Sequence, residues 1–551
     1  MEQTNAWWKE AVGYQIYPRS FYDSNNDGIG DLNGIREKLP YLVDLGIDFI
    51  WINPIYASPN VDNGYDISDY EAILDEFGTM EEFDLLLEEA HAHGIKIIMD
   101  LVINHSSDQH EWFIESKKSL DNPYRDYYIW ADGTPDNQPP SKWESIFGGS
   151  IWAYDEETQQ YYMHVFAKEQ PDLNWENEAL KNEVFAMIKR WLDKGIDGFR
   201  LDAISHIKKA PYQTKPANHP FDPFMNVPGI ETHLEDLRDL FNQYDIMTVG
   251  EASGVSATQA PKWVGEDGYF NMIFEFDHIS LWNKEETGNL DVVQLKHALA
   301  TWQLALDGQG WNALYMENHD VPRSVSAFGN DTDYWQESAK AIALMYFFLQ
   351  GTPFIYQGQE IGMTNYPYTS IDEIDAVDSR AFYFRLLEEG RTNEEALRIV
   401  GKTTRDNSRT PMQWTADKHA GFSKQKPWLL TNPNAVEINV DRQKDEAESI
   451  LNFYKKLIAV RKNSDTLIYG SFTHYLAKHP QVFVYERSLA DEHYLVVVNL
   501  TETPAVVEFP EEISTYHWTP ILGNQTPGTS IEKIITLNPY EAQLFARGVA
   551  R

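Results

Sequence analysis

Residues 180–202, LKNEVFAMIKRWLDKGIDGFRLD, decide the fold. Val184, Ile188, Trp191 and Leu192 recur at the spacing of one helix face, and 196–201 is a short apolar run of strand length. A helix therefore leads into a strand that closes on a carboxylate, Asp202. The same unit recurs along the chain. Strand-like runs lie at 11–17, 47–52, 95–103, 196–201, 246–249, 269–274, 313–316 and 353–356. Between them, 80–93 carries a helical stripe of Phe83, Leu86, Leu87 and Ala90, and 339–349 is almost wholly apolar, as a buried helix would be. Eight strand–helix alternations predict an α/β fold whose parallel sheet closes into a (β/α)8 TIM barrel.

Two insertions interrupt the rhythm. Residues 104–177, rich in Trp, Tyr, Asp and Pro, separate the third strand from its helix and read as a small subdomain. From Glu360 to about Asp445 the chain is polar and punctuated by Pro and Gly. Insertions after barrel strands open on the C-terminal face, where barrel enzymes place their chemistry. Beyond Tyr469, runs at 482–486, 494–499 and 505–509 follow without helices between them, which predicts antiparallel β structure. The expected organisation is barrel 1–103, inserted subdomain 104–174, barrel 175–468, and a C-terminal β-sandwich domain 469–551.

The 551 residues include 85 acidic and 45 basic side chains, a formal net charge of −40. Nucleic acid and anionic membranes need a basic surface, so neither is expected as a partner. Aromatics are 13% of the chain, enough to serve both a large core and the stacking of sugar rings. With no Cys, disulfides and thiolate metal sites are excluded. No leader-like N-terminus and no run of ~20 apolar residues is visible. The expectation is a cytoplasmic monomer or weak homo-oligomer with a small-molecule substrate.

In a strand, alternate side chains share a face, so Arg200 and Asp202 point the same way. A carboxylate beside a fixed guanidinium stays ionised, as a nucleophile must. Glu251 closes the fifth strand and Asp320 the seventh, while Asp100 and His105 flank the end of the third. Each alone reads as an ion pair or a cap. Together they predict one carboxylate-rich pocket at the strand ends, the requirement for glycoside hydrolysis.

Four stretches in order, Asp100-Leu-Val-Ile-Asn-His105, Gly198-Phe-Arg-Leu-Asp202, Gly250-Glu251-Ala252 and Glu317-Asn-His-Asp320, resemble the signatures of glycoside hydrolase family 13, the α-amylase family. Gln170-Pro-Asp-Leu-Asn174, Trp7-Trp8-Lys9-Glu10 and Arg405-Asp-Asn-Ser-Arg-Thr-Pro-Met-Gln-Trp414 are similar to its oligo-1,6-glucosidase and α-glucosidase branch. The resemblance spans essentially the whole chain. It implies Asp202 as nucleophile, Glu251 as general acid/base, and Asp320 as the residue that holds two sugar hydroxyls. It implies that Arg200 orients Asp202, that His105 and His319 bind the sugar, that Tyr65 stacks on it with Asp100 in support, and that Phe166 adds apolar wall. Asp62 and Arg405 would close the pocket behind a terminal glucose, giving exo action. Ala203, following the nucleophile, resembles the α-1,4-preferring type, since α-1,6-preferring relatives typically carry Val there.

The implied activity is release of glucose from the non-reducing end of short α-glucosides, α-1,4-linked ones preferred. The alternatives are an oligo-1,6-glucosidase, a sucrose isomerase or transglycosylase, a non-catalytic relative, and an extracellular endo-amylase. No organic cofactor is expected. Asp23, Asn25, Asp27, Ile29 (through its carbonyl) and Asp31 alternate around the turn glycine Gly28 like the start of an EF-hand loop, although position twelve is Gly34 rather than Glu. From the residues alone this is equally an Asx-rich turn. The resemblance implies a structural Ca²⁺, with Mg²⁺ as the alternative.

Overall fold

The computed structural model describes residues 6–282, 290–525 and 530–547. Eight parallel strands form the centre: β1 (Gly13–Ile16), β2 (Phe49–Ile52), β3 (Lys96–Val102), β4 (Gly198–Asp202), β5 (Met247–Glu251), β6 (Met272–Phe274), β7 (Ala313–Leu314) and β8 (Thr352–Tyr356). Their order is β6-β5-β4-β3-β2-β1-β8-β7. The end strands β6 and β7 lie in contact, so the barrel is nearly closed. Helices cover its outside and side chains fill its interior. Both strand faces are therefore buried, and the strands read as apolar runs rather than alternating ones.

The crossover helices start and stop on local signals. The helix Leu32–Leu45 begins at Asp31, whose side chain accepts from the Gly34 amide, and ends at Gly46. Met80–Ala92 opens on a capping box of Thr79 and Glu82. Glu178–Lys194, the helix of the opening stretch, is capped by Asn177 and stops at Gly195 in the left-handed region. Among the described residues no helix is long and apolar enough to cross a membrane.

Three expectations change. The seventh strand stops at Leu314, so Asp320 does not close it but stands on the loop beyond. The sixth is shortened to Met272–Phe274, because Tyr269 and Phe270 pack against Trp263 instead of pairing. The second insertion is not a plain polar loop. It holds a helix pair, Val377–Glu388 and Asn393–Thr403, around a core of its own that includes Ile374, Tyr383, Leu386, Ile399 and Val400. The second helix carries a Thr392–Glu395 capping box that the sequence displays openly.

The first insertion folds around a three-stranded sheet, Trp130–Ala131, Gln160–Met163 and Trp152–Asp155. Phe224, from the loop after β4, enters its core beside Trp143 and Trp152. At the C-terminus an antiparallel sheet runs in the order Ser471–Tyr475, Val482–Leu489, Glu492–Asn499, Ala542–Arg547, Thr519–Gly523, and Ala505–Glu508 pairs with Ile534–Leu537. Val484, Leu495, Val507 and Trp518 fill the core between them. Arg487 and Tyr485 tie this part to the barrel by donating to the Phe348 carbonyl at 2.6 Å and the Met345 carbonyl at 2.8 Å.

Gly198 starts β4 at φ +146°, and a Cβ there would lie 1.8 Å from the Met247 carbonyl oxygen on β5. Gly198→Ala must therefore push apart the two strands that carry Asp202 and Glu251. We expect a loss of about 2 kcal/mol or more in urea unfolding, and a fall in activity with it. Wild-type stability in that variant would refute this.

Candidate active site

Parallel register sets Asp100 on β3 beside Arg200 on β4, with Asp202 two residues further along the same face. Arg200 is 2% exposed and touches three carboxylates. Its Nη1 donates to Asp100 Oδ1 at 2.8 Å and to Asp202 Oδ1 at 2.7 Å, and its Nη2 donates to Glu251 Oε2 at 2.7 Å. The guanidinium lies 5.0 Å from the centre of the Trp51 ring, and the Trp51 indole donates to Asp100 Oδ2 at 3.1 Å. Tyr65 donates its hydroxyl to Asp100 Oδ2 at 2.9 Å and accepts from Asn53.

One positive charge among three carboxylates leaves the cluster net negative. Burial pushes the Asp202 carboxyl well up, against the pull of Arg200, and Glu251 and Asp100 add to the rise. Burial likewise raises Asp100. Arg200 pulls the Asp202 carboxyl down, and its guanidinium is shared with Asp100 and Glu251. Ala203 sits in the left-handed region at φ +45°, and its amide also donates to Glu251 Oε2, at 3.0 Å. Both donors converge on Oε2, and no protein donor reaches Oε1 among the described residues.

Asp320 faces this cluster from the loop after β7. Arg405 Nη1 lies 3.1 Å and Arg409 Nη2 2.8 Å from its Oδ1, and His319 Nε2 is 3.1 Å from Oδ2. Burial alone would raise this carboxyl. The His319 ring and the two guanidiniums override that and hold it well below the usual carboxylate range. His319 stacks on Tyr65 with ring centres 5.2 Å apart, and Gln15 Nε2 approaches its Nδ1 at 2.8 Å.

Asp62 and Arg405, far apart in sequence, meet at 3.1 Å. Gln170 donates to the other oxygen of Asp62, and Asp378 takes the remaining edge of Arg405, 2.9 Å from Nε. Phe147 lies under the Arg405 guanidinium, and Phe166 packs between Phe147 and His105. Burial pushes the His105 ring below the ordinary histidine range. Its Nε2 contacts the Tyr65 carbonyl and its Nδ1 contacts Asn104, so both ring nitrogens face protein. Ala203 is buried at the rim.

Sequence reasoning assigned no role to Trp51, Gln15, Gln170, Asp378 or Arg409. Gln170 and Arg409 stand inside motifs already singled out and were findable. Asp378 carries no local signal, because only the fold of the helix pair brings it to Arg405.

The Asp23–Asp31 side chains are hydrogen-bonded within their own loop rather than to these groups. Its donor atoms are all oxygen, as a hard cation requires. They are engaged by the loop's own amides: Asp23 by Asn26 and Gly28, Asn25 by Asp27, Asp27 by Ile29, and Asp31 by Ser24 and Gly34. Each engaged oxygen keeps a second lone pair. Among the described residues, however, no three His, Cys, Asp or Glu side chains converge as a metal cage. The loop thus fits a hard cation in the kind of its donors, with the Asn25 side chain and the Ile29 carbonyl needed beside the carboxylates to make up the set.

The chain resembles known proteins over almost its whole length. Residues 15–470 match the model of the alpha amylase catalytic domain, and 472–544 match that of the maltogenic amylase C-terminal domain. The chain is 50% identical to the probable oligo-1,6-glucosidase 3 of Bacillus subtilis (strain 168), over 98% of this chain and 99% of that protein. It is 48% identical to the oligo-1,6-glucosidase of Bacillus cereus, over 98% and 99%. The crystal structure of the isomaltulose synthase of Protaminobacter rubrum superposes with a TM-score of 0.94 at 42% identity, covering 98% of this chain and 99% of that one.

The two halves of the pocket should respond oppositely to loss of a charge. Asp320 has a depressed folded pKa, so it contributes stability above the unfolded carboxyl pKa that disappears as pH falls through its folded value. Asp320→Asn should then lower Tm at pH 7, with the difference closing in acid. Asp202 has a raised folded pKa, so its effect is the reverse: stability falls as pH rises through the interval between its unfolded and folded values. Asp202→Asn should raise Tm at pH 7. Melting curves of both variants from pH 3 to 8 check this, and shifts of the same sign would refute it.

Proposed function

Because the chain belongs to the α-amylase family and is a glycoside hydrolase, we propose that it is an exo-acting, retaining α-glucosidase of short α-glucosides. The observation that carries the reading is the Arg200 fork, which bridges Asp202 and Glu251 while Asp320 is held ionised opposite them. Two carboxylates joined through one guanidinium support the short separation, about 5–5.5 Å, of double displacement.

In the proposed reaction, Arg200 holds Asp202 Oδ1 and leaves Oδ2 to attack the anomeric carbon. Glu251 gives a proton from Oε1 to the glycosidic oxygen, and the bond to the leaving sugar breaks. Glu251 then takes a proton from water, whose oxygen displaces Asp202 from the sugar. Two inversions give net retention. The positive charge that grows on the sugar ring faces a cluster with more carboxylate than guanidinium, which stabilises it. Asp320 and His319 take the hydroxyls of the reacting ring beside Tyr65. Asp62, Arg405 and Asp378 close the far end, which supports cleavage of a terminal glucose rather than an internal bond.

For linkage we propose a preference for α-1,4 bonds, supported by Ala203. Its small side chain leaves space in the leaving-group subsite, a difference of ~1–3 kcal/mol rather than an absolute filter. A second reading is favoured by the names of the relatives: an oligo-1,6-glucosidase, or an isomerase like the isomaltulose synthase. Ala203→Val changes backbone preference as well as side-chain size, because Ala203 sits at φ +45°. The native enzyme gives the cleaner result. We expect kcat/KM to be higher on maltose than on isomaltose, α-glucose to appear first by NMR, and sucrose to be cleaved rather than isomerised. Asp202→Asn should lower kcat by about 10⁴-fold or more. A native preference for isomaltose would overturn the linkage proposal alone, and initial β-glucose would overturn the mechanism.

A cytoplasmic location and a monomeric or weakly associating state complete the proposal. The cysteine-free chain needs no oxidising compartment. The Asp23–Asp31 loop is proposed to take Ca²⁺, or Mg²⁺ in its place, for stability only, since a ligand bound solely by the folded state raises Tm by mass action. Verified metal removal by chelator should lower Tm without changing the relative rates on maltose and isomaltose. An unchanged Tm would leave the loop as a turn.

A further inference from the structure

Lys209 stands on the loop after β4, and the proposed reaction gives it nothing to do. Its side chain is 5% exposed. The ammonium meets acceptors from three separate segments. It donates to Asn104 Oδ1, just beyond β3, at 2.8 Å and to the His206 carbonyl at 2.7 Å, and it lies 2.9 Å from Asp172 Oδ2 in the first insertion. Burial lowers the Lys209 pKa, and the Asp172 charge opposes that.

The ion pair with Asp172 would fasten the insertion to the barrel by itself. The contact with Asn104 does something further. An ammonium can only donate, so the amide must turn its oxygen toward Lys209 and its NH2 away. That NH2 lies 3.2 Å from His105 Nδ1 and 3.4 Å from Asp172 Oδ1. Nδ1 must then accept, which places the ring proton on Nε2. The Tyr65 carbonyl, an acceptor, lies 3.0 Å from Nε2, so the tautomer set at one end of the ring suits the other. Gln170 Nε2 is 3.2 Å from the same ring nitrogen and directs an N–H to Asp62 Oδ2.

Tyr65 needs this hold. It follows Asn63 and Gly64, both in the left-handed region at φ +48° and +101°, so no regular element fixes its backbone. Its hydroxyl end is held by Asp100 and Asn53, and its carbonyl end by His105.

We propose that Lys209 is a positioning residue for the sugar platform. Through the Asn104 amide it fixes the tautomer of His105, whose Nε2–H holds the Tyr65 carbonyl and with it the ring beside which the glucose sits. The kinetic consequence rests on the glucosidase reading above, and the tautomer does not.

The test is nitrogen NMR of the full-length protein carrying ¹⁵N-histidine, at pH 8, with His105→Gln to assign the ring. The native protein should show a bare Nδ1 and a protonated Nε2 at His105. The opposite pattern, or an even mixture, overturns the proposal without any variant. Lys209→Met frees the amide to turn, so His105 should lose its single tautomer. Asn104→Asp keeps an oxygen for Lys209 and turns a second oxygen toward Nδ1, so the proton should move to Nδ1. In both variants KM for maltose should rise by about fivefold or more with kcat within about twofold, because the platform touches the sugar before and during reaction. A lysine that merely joins the insertion to the barrel would lower Tm in Lys209→Met while the His105 signals and KM in Asn104→Asp stay native, and that result overturns the proposal. A native tautomer as expected in a protein that cleaves no α-glucoside would count against the glucosidase reading and leave the Lys209 relay standing.

Discussion

A guanidinium sealed inside the barrel must be matched by carboxylates, and Arg200 is matched by three. Removing water from an unpaired charge is far more costly than the loss of any single contact, so the buried Arg200 requires carboxylate partners. Their positions follow from strand register. Asp100 opposes Arg200 across β3 and β4, Asp202 follows on the same face, and Glu251 ends β5 alongside. The Trp51 indole and the Tyr65 hydroxyl then hold the far oxygen of Asp100, so the cluster rests on a rigid floor. The left-handed turn at Ala203 completes it by aiming an amide at Glu251.

The pocket above that floor has two electrostatic halves. Around Arg200, carboxylates outnumber guanidiniums and burial works against ionisation. Around Asp320, the His319 ring, Arg405 and Arg409 enforce it. In the proposed reaction a neutral sugar enters between them. When its ring develops positive charge, the excess of carboxylate becomes favourable. On the proposed mechanism, the same cluster that burdens the empty protein stabilises the reacting state, a common form of opposition between stability and function.

The insertions give this general chemistry its particular shape. The first supplies Phe147, Phe166 and Gln170. The second supplies Arg405, Arg409 and Asp378. Each brings a core of its own, and a loop with a core can hold a side chain as firmly as a strand does. Confinement at the closed end of the pocket is thus a property of the added layers rather than of the barrel.

The strand–helix alternation was legible in residues 180–202 and their counterparts because local periodicity reports which face is buried, and eight repeats of that unit leave few ways to close a sheet. Arg200 beside Asp202 was legible for the same reason, since the side-chain period of a strand is two. Position within ordered motifs marked Glu251 and Asp320. What sequence did not determine was how charge is shared. Asp100, Asp202 and Glu251 come from three strands, and only their register shows that one guanidinium serves all of them. The meeting of Asp378 with Arg405, the turning of His105 toward protein, and the ending of β7 before Asp320 likewise depend on packing between distant segments. Contacts of that kind leave no periodic trace in a chain, because their partners are set by where each element docks, not by spacing along it.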